Sequence, residues 1–240
     1  MAALMLTRRH LLGMAPAAAL ALTASAADAG QVPPTPWPTA GLVALTFDAG
    51  ADRGYAEDIL DYLRDQQLVA TFGVTGRWAE ASPDLVQRMA GEGHMVINHT
   101  YDHRSFTGAS DKLGGLAADS RRAELEQADA VLSPLIGHSP QPWWRLPYGD
   151  DDARVDTNVA PTGYTVKVGW TVDSLGWHGL AAPDILARCV RLATPNGIYI
   201  MHVGRESQDN FALPAVVDAL RQQGYGFVSV AALLAPDTGT

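Results

Sequence analysis

Cysteine is almost absent from this chain of 240 residues: Cys189 stands alone, so no intrachain disulfide can staple the fold. Excess positive charge is lacking too. Seventeen Lys and Arg face 26 Asp and Glu, a net charge of −9 at pH 7. Nucleic acid is excluded as a partner, because phosphates call for a basic face. No membrane-spanning run is present either. The most apolar stretch, "LLGMAPAAALALTA" (11–24), falls short of the ~20 residues a bilayer needs. Neither a repeated motif nor a low-complexity tract interrupts the body of the chain. Cys189 sits in "PDILARCVRL", where helical spacing predicts a buried small apolar side chain.

Arg8 and Arg9 precede the short apolar run, and "ASA" (24–26) and "ADA" (27–29) are small-x-small cleavage sites. Residues 1–29 read as a signal peptide, with cleavage at 26/27 or 29/30. The arginine pair suggests the twin-arginine route, with an ordinary secretory signal as the alternative. The mature protein is then expected in the periplasm or secreted, without stable membrane insertion, and as a monomer. The Pro-rich residues 30–41 form an extended lead-in.

With 47% hydrophobic residues the rest suits one domain with a sizeable core. Strand-like runs are expected at 42–47, 69–75, 95–98, 143–146, 164–172, 197–202 and 225–230. Helical patterns lie between them at 55–67, after Ser82 as N-cap with Pro83 in the first turn, and in "LAADSRRAELEQADAVLSPL", "APDILARCVRLA" and "ALPAVVDALRQQG". Strands apolar on both faces that alternate with helices predict a parallel sheet. An eightfold barrel takes ~250 residues, so a barrel here would be incomplete. Residues 100–118 are expected to form a surface loop.

Chemically useful residues collect at the strand ends. Asp48 ends "ALTFDAG", His99 and His103 follow the third strand, Arg145 and Tyr148 the fourth, Asp173 the fifth, and His202 ends the sixth. Sites in parallel α/β folds form at that edge. His99 and His103 are four apart. A helical turn would let them share a metal, whereas two surface histidines would share only the spacing. Asp102 is expected to cap locally or accept from a ligand. His202 alone suits a hydrogen-bonded core position as well as a functional one.

Five ordered motifs, "TFDAG" (46–50), "HTYDH" (99–103), "RLPYG" (145–149), "DSLGW" (173–177) and "IMH" (200–202), resemble the polysaccharide deacetylase family. This is the NodB homology domain, carbohydrate esterase family 4, and the resemblance covers residues 42–233, with 234–240 as a tail. It implies a distorted seven-stranded (β/α) barrel that hydrolyses N-acetyl groups on a sugar polymer. It assigns Asp48 as catalytic base, His99 and His103 as metal ligands, and Arg145 as the arginine orienting the base. The Tyr148 N–H would serve the oxyanion, His202 would be the general acid, and Asp173 the carboxylate tuning it. Trp177 would meet the sugar. The implied cofactor is a divalent metal ion, zinc first, with cobalt or another divalent ion as alternatives. The implied partner is an acetylated glycan, foremost a cell-wall GlcNAc/MurNAc polymer.

Two positions depart from the family pattern. Ala49 stands where a second, metal-binding Asp is usual, and Gly176 replaces the second Asp of a D-x-x-D-W motif. Asp52 is a candidate substitute ligand if its loop bends inward. A non-catalytic glycan-binding module and a metal-independent hydrolase of a non-sugar amide remain rival readings.

Overall fold

The computed structural model describes residues 39–235. The expected signal peptide, most of the lead-in and residues 236–240 of the tail lie outside them. Eight parallel strands make one sheet: β1 (Gly41–Ala49), β2 (Thr71–Val74), β3 (Met95–Asn98), β4 (Trp143–Trp144), β5 (Val166–Lys167), β6 (Val172–Asp173), β7 (Gly197–His202) and β8 (Tyr225–Phe227). Seven follow the order β5-β4-β3-β2-β1-β7-β6, and β8 pairs with the first residues of β1.

The expected strand 164–172 is two strands. β5 and β6 lie at opposite ends of the path, joined only by residues 168–171. Five Cα steps span at most ~18 Å, so the two edges must lie close and the sheet must curl. That produces the incomplete seven-stranded barrel.

Period-two alternation divides β1 between two environments. Val43, Leu45, Phe47 and Ala49 enter the main core, which lies between sheet and helices. Ala44 points inward, where with Ile97, Val168 and Val230 it closes one end of the barrel. Val230 comes from a short C-terminal helix, α8 (Val230–Leu233). Thr46 and Asp48 share that inner face and meet Arg145.

The outer layer comprises α1 (Ala56–Asp65), α2 (Gly76–Ala81), α3 (Pro83–Gly91), α4 (Ala118–Ile136), α5 (Val155–Val159), α6 (Ala182–Arg191) and α7 (Asp209–Gln222). α1 buries Ala56, Ile59, Leu60 and Leu63, spaced on one helical face, and each large aliphatic contributes about 2 kcal/mol. α7 does the same with Leu213, Val216, Val217 and Leu220. Ser82 occupies the N-cap of α3 but its hydroxyl accepts no cap bond, so Pro83 sets that turn. Thr75 does cap α2, accepting from Trp78 N–H at 3.2 Å.

Candidate active site

Arg145 follows β4 and is fully buried inside the barrel. Its Nη1 donates to Asp48 Oδ1 at 2.7 Å and Thr46 Oγ1 at 2.9 Å, and its Nε to the Val168 carbonyl at 3.2 Å. The Nη2 group donates to the Gly169 carbonyl at 3.3 Å. A buried guanidinium is tolerable because these partners surround it. Burial alone would raise the Asp48 carboxyl; the charge and hydrogen bond of Arg145 outweigh it and hold the group below its usual value. Room for the carboxylate comes from β2. A Cβ on Gly73 would overlap Asp48 Oδ1.

His99 Nδ1 lies 3.1 Å from the Arg145 carbonyl, which can only accept, so Nδ1 carries the proton. Its Nε2 then turns a lone pair toward Asp48 Oδ2 at 3.3 Å. Burial holds both His99 and His103 below the usual imidazole value, His103 at about 3, so both rings are neutral. Their centroids are 4.7 Å apart. The expected helical turn does not bring them together. Thr100 and His103 take positive φ in an irregular turn. Asn98 Oδ1 accepts from Thr100 N–H, Thr100 Oγ1 from His103 N–H, and Glu124 from the N–H groups of Tyr101 and Asp102. Asp102 itself pairs with Arg77 on α2.

Asp48 and His202 are register partners on β1 and β7 and face one cleft. The cleft has two lobes, of about 330 and 280 Å³, which share Asp48, His99, His103, Trp177 and His202. The first continues over Leu146, Tyr148, Trp170 and Ile200; the second over Gly50, Asp52 and residues 204–207. Tyr148 and Trp177 stand half exposed at the rim, and the Tyr148 ring packs 4.6 Å from that of His103. Tyr148 has φ 60° and ψ −5°, a strained backbone for a non-glycine residue.

Asp173 lines the first lobe, but its carboxylate does not reach His202. It accepts from Leu175 N–H at 2.8 Å and the Trp177 indole N–H at 3.2 Å, closing its own turn. The carboxylate in ion-pair reach of His202 is Asp209, at the start of α7, with Oδ2 3.9 Å from His202 Nδ1. Sequence reading missed Asp209 because it follows no strand and resembles an ordinary acidic helix start. Gly73 was missed as well, since a glycine inside a strand carries no chemical signal.

Among the described residues, no group of three or more His, Cys, Asp and Glu is arranged to hold a metal ion. Two neutral imidazoles on one side of a carboxylate nonetheless fit part of a divalent ligand set. Two electron-pair donors, His99 Nε2 and Asp48 Oδ2, face each other at 3.3 Å, an arrangement a nearby cation stabilises. Ala49 is fully buried in the main core and lines neither lobe. Asp52 lines the second lobe, where its Oδ1 accepts from Arg205 N–H at 2.9 Å and its Oδ2 lies 3.8 Å from Arg205 Nε.

A curled parallel barrel with a buried arginine-held carboxylate, paired neutral imidazoles and a facing histidine in one cleft defines a hydrolase of the acid–base type. The model of the polysaccharide deacetylase family matches residues 37–167, and the chain belongs to that family. By class it is a polysaccharide deacetylase-type hydrolase acting on amide bonds. A peptidoglycan-N-acetylmuramic acid deacetylase, PdaA of Bacillus subtilis, is 30% identical, over 78% of this chain and 68% of its own. The crystal structure of the Bc1960 peptidoglycan N-acetylglucosamine deacetylase superposes with a TM-score of 0.71 at 28% identity, covering 83% of this chain and 89% of that one. A family pseudoenzyme from Bacillus anthracis superposes at 0.73 with 25% identity, covering 82% and 66%. The chain spans about two thirds (66–68%) of the length of its first curated relatives.

Proposed function

We propose that this protein is an exported, metal-assisted deacetylase that removes N-acetyl groups from a cell-wall glycan containing GlcNAc or MurNAc. The observation that carries this reading is Asp48, held anionic by Arg145 at 2.7 Å and facing His202 across the cleft. His99 and His103 would hold the divalent ion, which when bound polarises the acetyl carbonyl and lowers the pKa of a water. Asp48 takes the proton of the attacking water. The Tyr148 N–H donates to the developing oxyanion. His202 gives a proton to the sugar nitrogen as the C–N bond breaks, releasing acetate and the free amine. The apolar lobe over Leu146, Trp170 and Ile200 receives the acetyl methyl, and Trp177 stacks on the sugar ring.

Acetate release from peptidoglycan, chitin oligomers, poly-GlcNAc and acetylxylan, with chelation and metal add-back, tests this. Wild-type protein is expected to release acetate from at least one N-acetylated glycan and to lose activity with chelator. Asp48→Asn and His99→Ala are each expected to lower kcat by ~10³ or more. Near-normal release from either variant refutes the assignment. Ala49 and the pseudoenzyme neighbour favour one rival, a glycan-binding module. Glycan binding with no acetate release under any metal would establish that rival instead.

A further inference from the structure

We propose that Asp209 is the positioning residue for His202, supplying from the start of α7 the carboxylate that position 176 lacks. The inference rests on the role of His202 given above. Three observations converge. First, His202 Nδ1 and Asp209 Oδ1 are both buried without a hydrogen-bond partner, and Oδ2 lies 3.9 Å from Nδ1. About 1 Å of side-chain movement would bring them to charge-assisted hydrogen-bond distance. Second, Asp209 is fully buried and already anchored to the His202 backbone, Oδ2 accepting from His202 N–H at 2.8 Å and Ser207 Oγ at 2.7 Å. Third, a Cβ on Gly176 would collide with this same carboxylate, 2.6 Å from Cγ and 2.8 Å from Oδ2. Glycine at 176 is what leaves the volume free.

A helix-start role does not account for this placement. An acidic residue in the first turn of a helix is favoured by the dipole. The Asp209 carboxylate, however, accepts from residues 202 and 207 and none in α7. Asp173 is no substitute, since its oxygens close the turn to Leu175 and Trp177. The titratable groups facing His202 across the cleft are Asp48, His99, His103 and Asp173, with Arg205 and Glu206 on its own loop. Among these, no other carboxylate lies in ion-pair reach of it.

The test relocates the carboxylate. With the metal-loaded protein on the glycan it deacetylates, Asp209→Asn and Asp209→Ala are expected to lower kcat by ~10²–10³ with KM within about threefold. Gly176→Asp alone is expected to be impaired, because two carboxylates compete for one volume. The double variant Gly176→Asp/Asp209→Ala is expected to regain at least tenfold over Asp209→Ala. A merely structural Asp209 would not be rescued in that way. Wild-type kcat in folded Asp209→Ala, or a folded double variant no better than it, overturns the proposal. Should wild-type protein release acetate from no glycan, the function reading falls and imidazole ¹⁵N spectra still decide this inference. A hydrogen-bonded His202 Nδ1–H in wild type that is lost in Asp209→Asn supports it; an unchanged signal overturns it.

Discussion

Gly73 has no functional group, yet the position of Asp48 depends on it. Adding one methyl there puts a carbon inside contact distance of Asp48 Oδ1 and pushes the carboxylate off Arg145. Gly73→Ala is expected to fold, with circular dichroism unchanged, and to lower kcat by ~10² through misplacement alone. Arg145→Met acts through charge. It strands a carboxylate that is only 6% exposed and takes one donor from Thr46, whose hydroxyl still donates to the Tyr199 carbonyl, so unfolding in urea should show a loss of about 3–5 kcal/mol at pH 7. The sign with pH follows from the depressed Asp48 carboxyl. Its stabilisation is present above the unfolded value near ~4 and is lost as pH falls through the folded one. The gap between wild type and Arg145→Met should therefore narrow below pH ~4; a constant gap would show that Arg145 contributes by packing alone. Asp48, Arg145, His99 and His202 were legible because each is polar where an apolar strand ends. Asp209 and Gly73 act through a neighbour's geometry, which residue type does not encode.

At the scale of elements, the sequence marked those with long apolar periodicity and blurred the short ones. β7 was legible to the residue and β1 to within one residue at its start and two at its end, because six and nine residues of mostly apolar chain pair along most of their length. The run 164–172 reads as one strand because its apolar density is continuous. Only pairing at opposite edges of the curl divides it into two strands of two residues each. The loop after His103 was expected at the surface, and side chains tie it down there. Asp150 accepts from Ser105 Oγ and Ser110, and Arg121 on α4 reaches under the loop. Arg121 is nearly buried. Its guanidinium donates to the Phe106 and Leu116 carbonyls and to Asp152, joining α4, the loop and the approach to α5. Arg121→Met is expected to lower the thermal midpoint by roughly 5–10 °C, since carbonyls and a carboxylate lose their donor at once. Limited proteolysis should then cut first within 104–116; cleavage elsewhere would show that the clamp stabilises α4 and not the loop.

For the molecule as a whole, the lone thiol can report the stability of the entire barrel. Cys189 is fully buried on α6, on the helix face that enters the main core. Burial, with Asp209 nearby, pushes the thiol up to about 12. In the unfolded chain it returns to ~8.5, where labelling reagents react readily. Ellman's reagent at pH 8 should leave native protein unlabelled. The labelling rate in low urea should then track the population of the open form, reaching its plateau with the loss of circular dichroism. The sign with pH is opposite to that of Asp48. A thiol raised in the fold stabilises below its unfolded value, and that contribution disappears as pH climbs toward the folded one. Burial raises the phenols of Tyr164 and Tyr199 as well, so all three groups oppose ionisation together. The urea midpoint should be flat from pH 7 to 8.5 and fall steadily between 9 and 12. Cys189→Ala should remove the first part of that fall and leave the later, tyrosine-driven part. Rapid labelling of folded protein at pH 8 would place the thiol on a locally opening surface, and the packing of α6 against α7 would then not be what shields it.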